Sequence, residues 1–295
     1  MVRSKTIGSR VFTVVNYVLM GILALSCLYP LWYAFCLSFS NKTAANSGVV
    51  TLFPVGFNLS SYQEIMKDWR FFNSFWISIQ RTVLGTVVTL AILVLLAYPL
   101  SKSKREYSLR NIVMWVVVFC LVFNGGTIPW YIVMVKYYNL MDSIWGLVLS
   151  GGLPVFNLIL IVNFFRSLPR DLEEAAVIDG ASEWGILFRI VIPCSIPVLA
   201  TITLFTSVGH WNEFFQGLVL TSGEAHYPLQ TYIKQMVVNI QTTNMTVDQL
   251  QKLDKLSNKS LDAAKVFIAM VPMLIVYPFL QKYFVNGIML GAVKE

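Results

Sequence analysis

Apolar residues run in long unbroken stretches along the chain, and the polar positions gather in short segments between them. Six stretches come within a few residues of the roughly 20 that a helix needs to cross a hydrocarbon core about 30 Å thick. They are 11–37, 78–100, 112–135, 144–165, 194–221 and 266–288. Pro30 lies in the first, Gly125-Gly126 and Pro129 in the third, and Gly151-Gly152 and Pro154 in the fourth. Such residues are tolerated in a bilayer where neighbouring helices satisfy the freed backbone groups, so these spans should be bent or interrupted. The expected fold class is an all-α polytopic membrane protein with six transmembrane helices. Residues 1–10 form an N-terminal segment and 11–295 the transmembrane domain.

Orientation follows from where Lys and Arg cluster near the membrane. Arg3, Lys5 and Arg10 crowd the N-terminus, and Lys102, Lys104, Arg105 and Arg110 crowd the loop 101–110, whereas loop 136–143 has only Lys136. Both termini are therefore expected in the cytoplasm, with segments 38–77 and 222–265 outside and loop 166–193 inside. Within 222–265, Pro228 to Val238 reads as a short amphipathic helix and Thr246 to Leu256 as a polar one. Trp69, Phe71, Phe72, Phe75 and Trp76 suit an interfacial aromatic belt.

Composition sharpens this picture. With 56% hydrophobic and 13% charged residues over 295 positions, the chain departs far from soluble usage. Its net charge of +7 is dispersed in short clusters and gives no continuous basic element to track phosphates, so no nucleic-acid partner is expected. Cys27, Cys36, Cys120 and Cys194 show no C-x-x-C spacing and no nearby His, so no metal site is expected. The first apolar run continues well past Cys27 and is too long for a signal peptide.

Loop 166–193 is the most informative polar segment. Ser167 is a possible helix cap, Pro169 comes early, and Asp171, Glu173 and Glu174 fall in a first turn where the helix dipole favours acids. Asp179-Gly180 can break that helix, with Gly free to take positive φ, and Ser182 can cap a second helix running to Ile192. Ala175 and Ala176 should leave one side of the first helix flat for close approach by another protein, with Glu174 at the rim. An amphipathic loop lying on lipid is the competing interpretation, and the excess of acids disfavours it, because interfacial helices usually turn Lys and Arg toward anionic lipid.

Glu174-Ala175-Ala176, then Gly180, then Ile190-Val191-Ile192-Pro193 resembles the E-A-A, three residues, G, nine residues, I-x-L-P signature of permease subunits of bacterial ATP-binding-cassette importers, departing only at Ile192. Gly125 to Pro129, Asn157 to Phe165, Ile178 to Ala181, Trp211 to Phe214 and Gly287 to Lys294 are similar to its carbohydrate-uptake, MalG-like branch, and there to the LplC and YtcP type. The resemblance implies a sugar or oligosaccharide importer in the bacterial plasma membrane. It implies a homologous second permease, two copies of a cytoplasmic ATPase holding ATP and Mg, and an extracytoplasmic solute-binding protein as partners. Glu174, Ala175, Ala176, Asp179, Gly180 and Pro193 would then couple this chain to the ATPase.

No G-x-x-x-x-G-K-[ST] stretch occurs, so the chain lacks the cradle by which such loops hold nucleotide, and it binds no cofactor of its own. With only His210 and His226 and no nucleophile motif, no catalytic residues are assigned. His210 and Glu213, three residues apart, should share a helical face in the fifth span, among Trp211, Asn212 and Phe214. Aromatic rings with an amide and a carboxylate suit sugar binding, and intramembrane ionisable groups mark functional sites. Packing against a partner helix is the alternative for this cluster. An autonomous ion-coupled sugar carrier is the alternative for the protein, since it would draw on the same two ionisable residues.

Overall fold

The computed structural model describes residues 7–123, 125–238 and 258–292, with side chains at 237–238 and 279–292 left aside. All regular secondary structure among the described residues is helical, without strands. Two compact units divide the chain: 1–69 with 235–271, and 70–234 with 272–295.

The first unit opens with α1 (Ile7–Ser38), which passes through Pro30 without a break. Two short helices follow, α2 (Lys42–Ser47) and α3 (Ser60–Ile65). Asn41 caps α2 by accepting the Ala44 N–H at 2.7 Å, and Gly48, at φ 74°, ends it. Ser61 and Ser260 hydroxyls meet at 2.9 Å, and Lys265 donates to Asp68 at 2.8 Å. These bonds satisfy buried polar groups from segments far apart in sequence.

The second unit holds α4 (Trp69–Ser101), α5 (Arg110–Val122), α6 (Thr127–Ile132), α7 (Ile144–Leu149), α8 (Val155–Ser167) and α9 (Arg170–Ile178). Then come α10 (Glu183–Ile186), α11 (Ile192–Cys194), α12 (Ile196–Asn212), α13 (Phe215–Leu220) and most of α14 (Leu229–Val238). The last helix, α15 (Lys259–Ala292), runs on from the first unit. The core of the second unit joins Leu93, Val94 and Ala97 of α4 to Leu158, Ile161 and Val162 of α8, and to Ala176, Ile186, Leu187, Val191 and Ile202.

Among the described residues, three helices are long and apolar enough to cross a membrane: α1, α4 and the stretch Lys259–Pro278 of α15. The count becomes five if Arg110–Val122 with Thr127–Tyr137, and Glu183–Cys194 with Ile196–Asn212, are each one bent span. The expected interruptions fall where glycine and proline stand. Val122 and Thr127 flank the Gly125-Gly126 break, and α7 and α8 are parted at Gly151-Gly152 and Pro154. The amphipathic helix expected at Pro228–Val238 forms as α14, whereas the one expected at Thr246–Leu256 lies outside the described residues.

Two local expectations are corrected. Ser167 does not cap α9; it is the last residue of α8, its hydroxyl bonded to the Phe164 carbonyl at 2.7 Å, and Pro169 precedes α9 without a side-chain cap. His210 and Glu213 do not share a helix, because α12 stops at Asn212 and Glu213 is extended at φ −75°, ψ 124°. The Glu213 carboxylate causes the break: it accepts the N–H of Phe215 at 2.8 Å and of Gln216 at 3.1 Å, starting α13 in place of another turn of α12.

Candidate functional site

Two polar regions of the second unit stand out against its apolar framework. The first is a cleft of about 170 Å³ lined by Arg81, Thr89, Asn157, Thr206, His210, Glu213 and Gln216, with Gly151, Gly152, Pro154, Phe205 and Gly209 completing its wall. Arg81 projects from α4 and is 1% exposed. Its guanidinium donates to the Glu213 carboxylate at 3.0 Å, to the Glu213 backbone carbonyl at 3.1 Å, and to the Gln216 side chain. Ser150 donates to the same Gln216 oxygen at 2.7 Å, and Trp130 Nε1 donates to the Ser150 carbonyl at 3.1 Å. A buried charge is tolerable only when paired and hydrogen-bonded, and this one meets both conditions. His210 Nε2 lies 3.5 Å from the Thr89 hydroxyl. Its ring fills the space where a side chain at Gly85 would stand, which makes glycine necessary there.

Of the five sequence-predicted pathway residues, His210 and Glu213 line this cleft, and Trp211, Asn212 and Phe214 do not. Trp211 is buried, edge-on to Phe75 with ring centroids 5.7 Å apart. Phe214 is partly exposed beneath the Lys234 ammonium, 5.4 Å from its ring centroid. Arg81, Gln216 and Asn157 went unforeseen. Arg81 carried a signal, being a charged residue inside an apolar run.

The second region surrounds α9. A cleft of about 650 Å³ is lined by the loop after α4 (Lys102, Ser103, Glu106), the start of α5 (Arg110), the end of α8 (Arg166) and one side of α9 (Glu173, Glu174, Val177, Ile178). The helix ends as expected: Gly180, at φ 77°, donates to the Val177 carbonyl, and Ala181 to that of Ala176. Ser182 caps α10 by accepting the Gly185 N–H at 3.2 Å. Ala176 turns inward and packs in the core, so the flat alanine face expected on the free side reduces to Ala175. The free side also carries Glu174, Val177 and Ile178, the last 85% exposed.

Lys102 ties α9 to its surroundings. Its ammonium pairs with Glu173, stands 3.7 Å from Glu183, and lies 4.4 Å from the centroid of the Tyr98 ring. Tyr98 in turn donates to Glu183 at 2.6 Å. Burial is the largest single influence and works to lower the basicity of Lys102, but the bonds and attraction of Glu173 and Tyr98 together outweigh it, and the ammonium is held above the ordinary lysine range. Glu106 is held below the usual carboxylate range by its bonds to Ser103.

The sequence from 94 to 290 matches the family of binding-protein-dependent transport system inner membrane components. The chain belongs to this family. The resemblance to permeases of ATP-binding-cassette importers drawn from Glu174 to Pro193 is thereby borne out, and this permease is a multi-pass inner-membrane protein. Protein LplC of Bacillus subtilis strain 168 is 39% identical, covering 98% of this permease and 97% of LplC. The polygalacturonan/rhamnogalacturonan transport system permease protein YtcP of the same strain is 35% identical, covering 97% and 99%. The crystal structure of a bacterial ABC transporter involved in the import of the acidic polysaccharide alginate contains a chain 35% identical to this permease. That match covers 95% of this permease and 99% of that chain, with a TM-score of 0.84.

Proposed function

We propose that this permease forms half of the membrane pathway of a sugar-importing ATP-binding-cassette transporter, and that its cargo is an oligosaccharide bearing carboxylates. It pairs with a homologous second permease and two ATPase subunits, which hold ATP and Mg, and it receives substrate from an extracytoplasmic binding protein. Its six spans would be the three long helices, the two bent pairs and α7 with α8 taken as one more, with both termini and loop 166–193 in the cytoplasm. In this arrangement α9 is the helix that seats in the ATPase, and the cleft at Arg81, His210 and Glu213 belongs to the sugar's path.

One observation carries the reading: α9 is fixed from behind by Ala176 in the core while Glu174, Val177 and Ile178 stand free, the form of a knob built for another protein's groove. Acidic cargo is supported by what YtcP and the alginate transporter are named for. The test is an Ile178→Cys variant in the assembled transporter, cross-linked to cysteines placed in the ATPase groove, together with uptake of labelled oligogalacturonide into proteoliposomes. Cross-linking with ATP-dependent uptake is expected. Uptake by this chain alone on an ion gradient would overturn the reading in favour of an autonomous carrier.

A further inference from the structure

The end of α4 is unusually well held. Its Leu100 carbonyl, one of the last of the helix, accepts from Arg110 Nε at 3.0 Å and from Arg166 Nη2 at 2.9 Å. Cationic donors at a helix C-terminus satisfy its orphan carbonyls and its dipole. Arg110 begins α5 and Arg166 lies in the last turn of α8, so three helices are fastened at one point. Lys102, the second residue beyond Leu100, adds a fourth and a fifth by pairing with Glu173 of α9 and standing beside Glu183 of α10. The Lys102 side chain is only 15% exposed and Glu173 25%, so solvent screens this pair less than a surface pair. It is the only ion pair to α9 among the described residues.

The helix that ends at this junction also reaches the polar cleft. From Lys102 back to Arg81 the chain is helical almost throughout, a rod of about 30 Å at 1.5 Å per residue. Thr89 lies between them and lines the same cleft as Arg81. A displacement of α9 therefore has a short mechanical route to the cleft, through one ion pair and one continuous helix.

We propose that Lys102 is a positioning residue for energy coupling. It is the strut that passes movement of α9 to α4, and so to the Arg81 and Thr89 side of the cleft. Glu183, within reach at 3.7 Å and held by Tyr98, gives the ammonium a second carboxylate if α9 shifts, so the strut can bear load without leaving a charge unpaired. The proposal rests on the reading of α9 as the ATPase-docking helix.

The experiment measures sugar imported per ATP hydrolysed by the complete transporter in proteoliposomes. Lys102→Ala should lower that ratio about tenfold, within the range of typical coupling effects, while ATP hydrolysis continues. Lys102→Arg should keep the ratio near wild type. Lys102→Glu should lose it, and the swap Lys102→Glu with Glu173→Lys should recover much of it, the interaction energy that identifies a direct pair. An unchanged ratio in Lys102→Ala would overturn the proposal. So would a fall that neither the arginine variant nor the swap restores, including failure of both to assemble, since the pair would then serve folding alone. Cross-linking through Ile178→Cys separates the two failures: no ATPase cross-link sinks the docking reading, whereas cross-linking with normal coupling in Lys102→Ala sinks only the strut.

Discussion

The cleft around Arg81 and the junction around Lys102 both set a basic side chain against glutamate where a helix breaks, yet they are built for different demands. Arg81 is 1% exposed and donates to a carboxylate, a backbone carbonyl and an amide that Ser150 also bonds. Its planar fork fixes several acceptors at once, and Glu213 is pinned in turn by the N–H groups of Phe215 and Gln216. Lys102 is a compact charge on a flexible stem, with one carboxylate in contact and a second nearby. The first arrangement fixes one geometry through both terminal nitrogens of Arg81, its Nε staying buried and unbonded, whereas the second has room for two. Under the proposals above, a wall of the sugar's path would need rigidity, and a joint that transmits motion would need an alternative partner.

The comparison is broken most severely at Arg81. Removing one partner of a buried pair leaves an uncompensated charge and costs about 3–5 kcal/mol. Arg81→Ala should therefore reduce assembled transporter and lower its melting temperature, as followed by fluorescence-detected size exclusion on heating. Arg81→Lys should recover little, because one ammonium cannot reproduce the fork. Glu213→Gln should act next most strongly. Its amide oxygen can still accept the α13 N–H groups and a bond from Arg81, so the loss of assembly should be smaller than in Arg81→Ala, but Arg81 loses its counter-charge and uptake per assembled complex should fall by about tenfold, a loss of about 1.4 kcal/mol. Unchanged uptake in Glu213→Gln would return the cleft to packing.

At α9 the effects should be smaller and should spare assembly. Gly180 sits at φ 77°, where an L side chain costs roughly 1–2 kcal/mol. Gly180→Ala should leave expression near normal but lower sugar imported per ATP, because the end of α9 is misplaced. Ala176→Leu overfills the core behind α9 at a cost of about 1–3 kcal/mol. It should push the helix outward, with the same signature. If both variants coupled normally, α9 would not be the transmission element.

Much of this architecture could be read from the residues. Apolar run lengths located the long helices, and Gly151-Gly152 with Pro154 marked an interruption that formed there. Gly180 and Ser182 announced the turn and cap that follow α9. The break at Glu213 was hidden because Trp211-Asn212-Glu213-Phe214 contains no helix breaker; a carboxylate bonding its own backbone stops the helix. Trp211 looked like a sugar platform because its partner, Phe75, is remote in sequence. Lys102 counted only as one more positive charge in a loop, since its carboxylates arrive from α9 and α10 by tertiary folding.

The smallest effect should come from pH, and it sharpens the contrast at the Lys102 junction. Its basicity is raised, so the pair's contribution is fully present below the unfolded lysine pKa of about 10.4 and fades only as pH rises through the still higher folded value. Import per ATP in the wild type should therefore stay flat between about pH 6 and about pH 9, as far as Lys102 governs it. A histidine in its place would titrate near the unperturbed imidazole pKa of about 6.5. Lys102→His should then import efficiently per ATP at about pH 6 and poorly at about pH 8, with the ratio correcting for any pH dependence of the ATPase itself. A flat profile in Lys102→His would mean that the charge at this position does not carry the coupling.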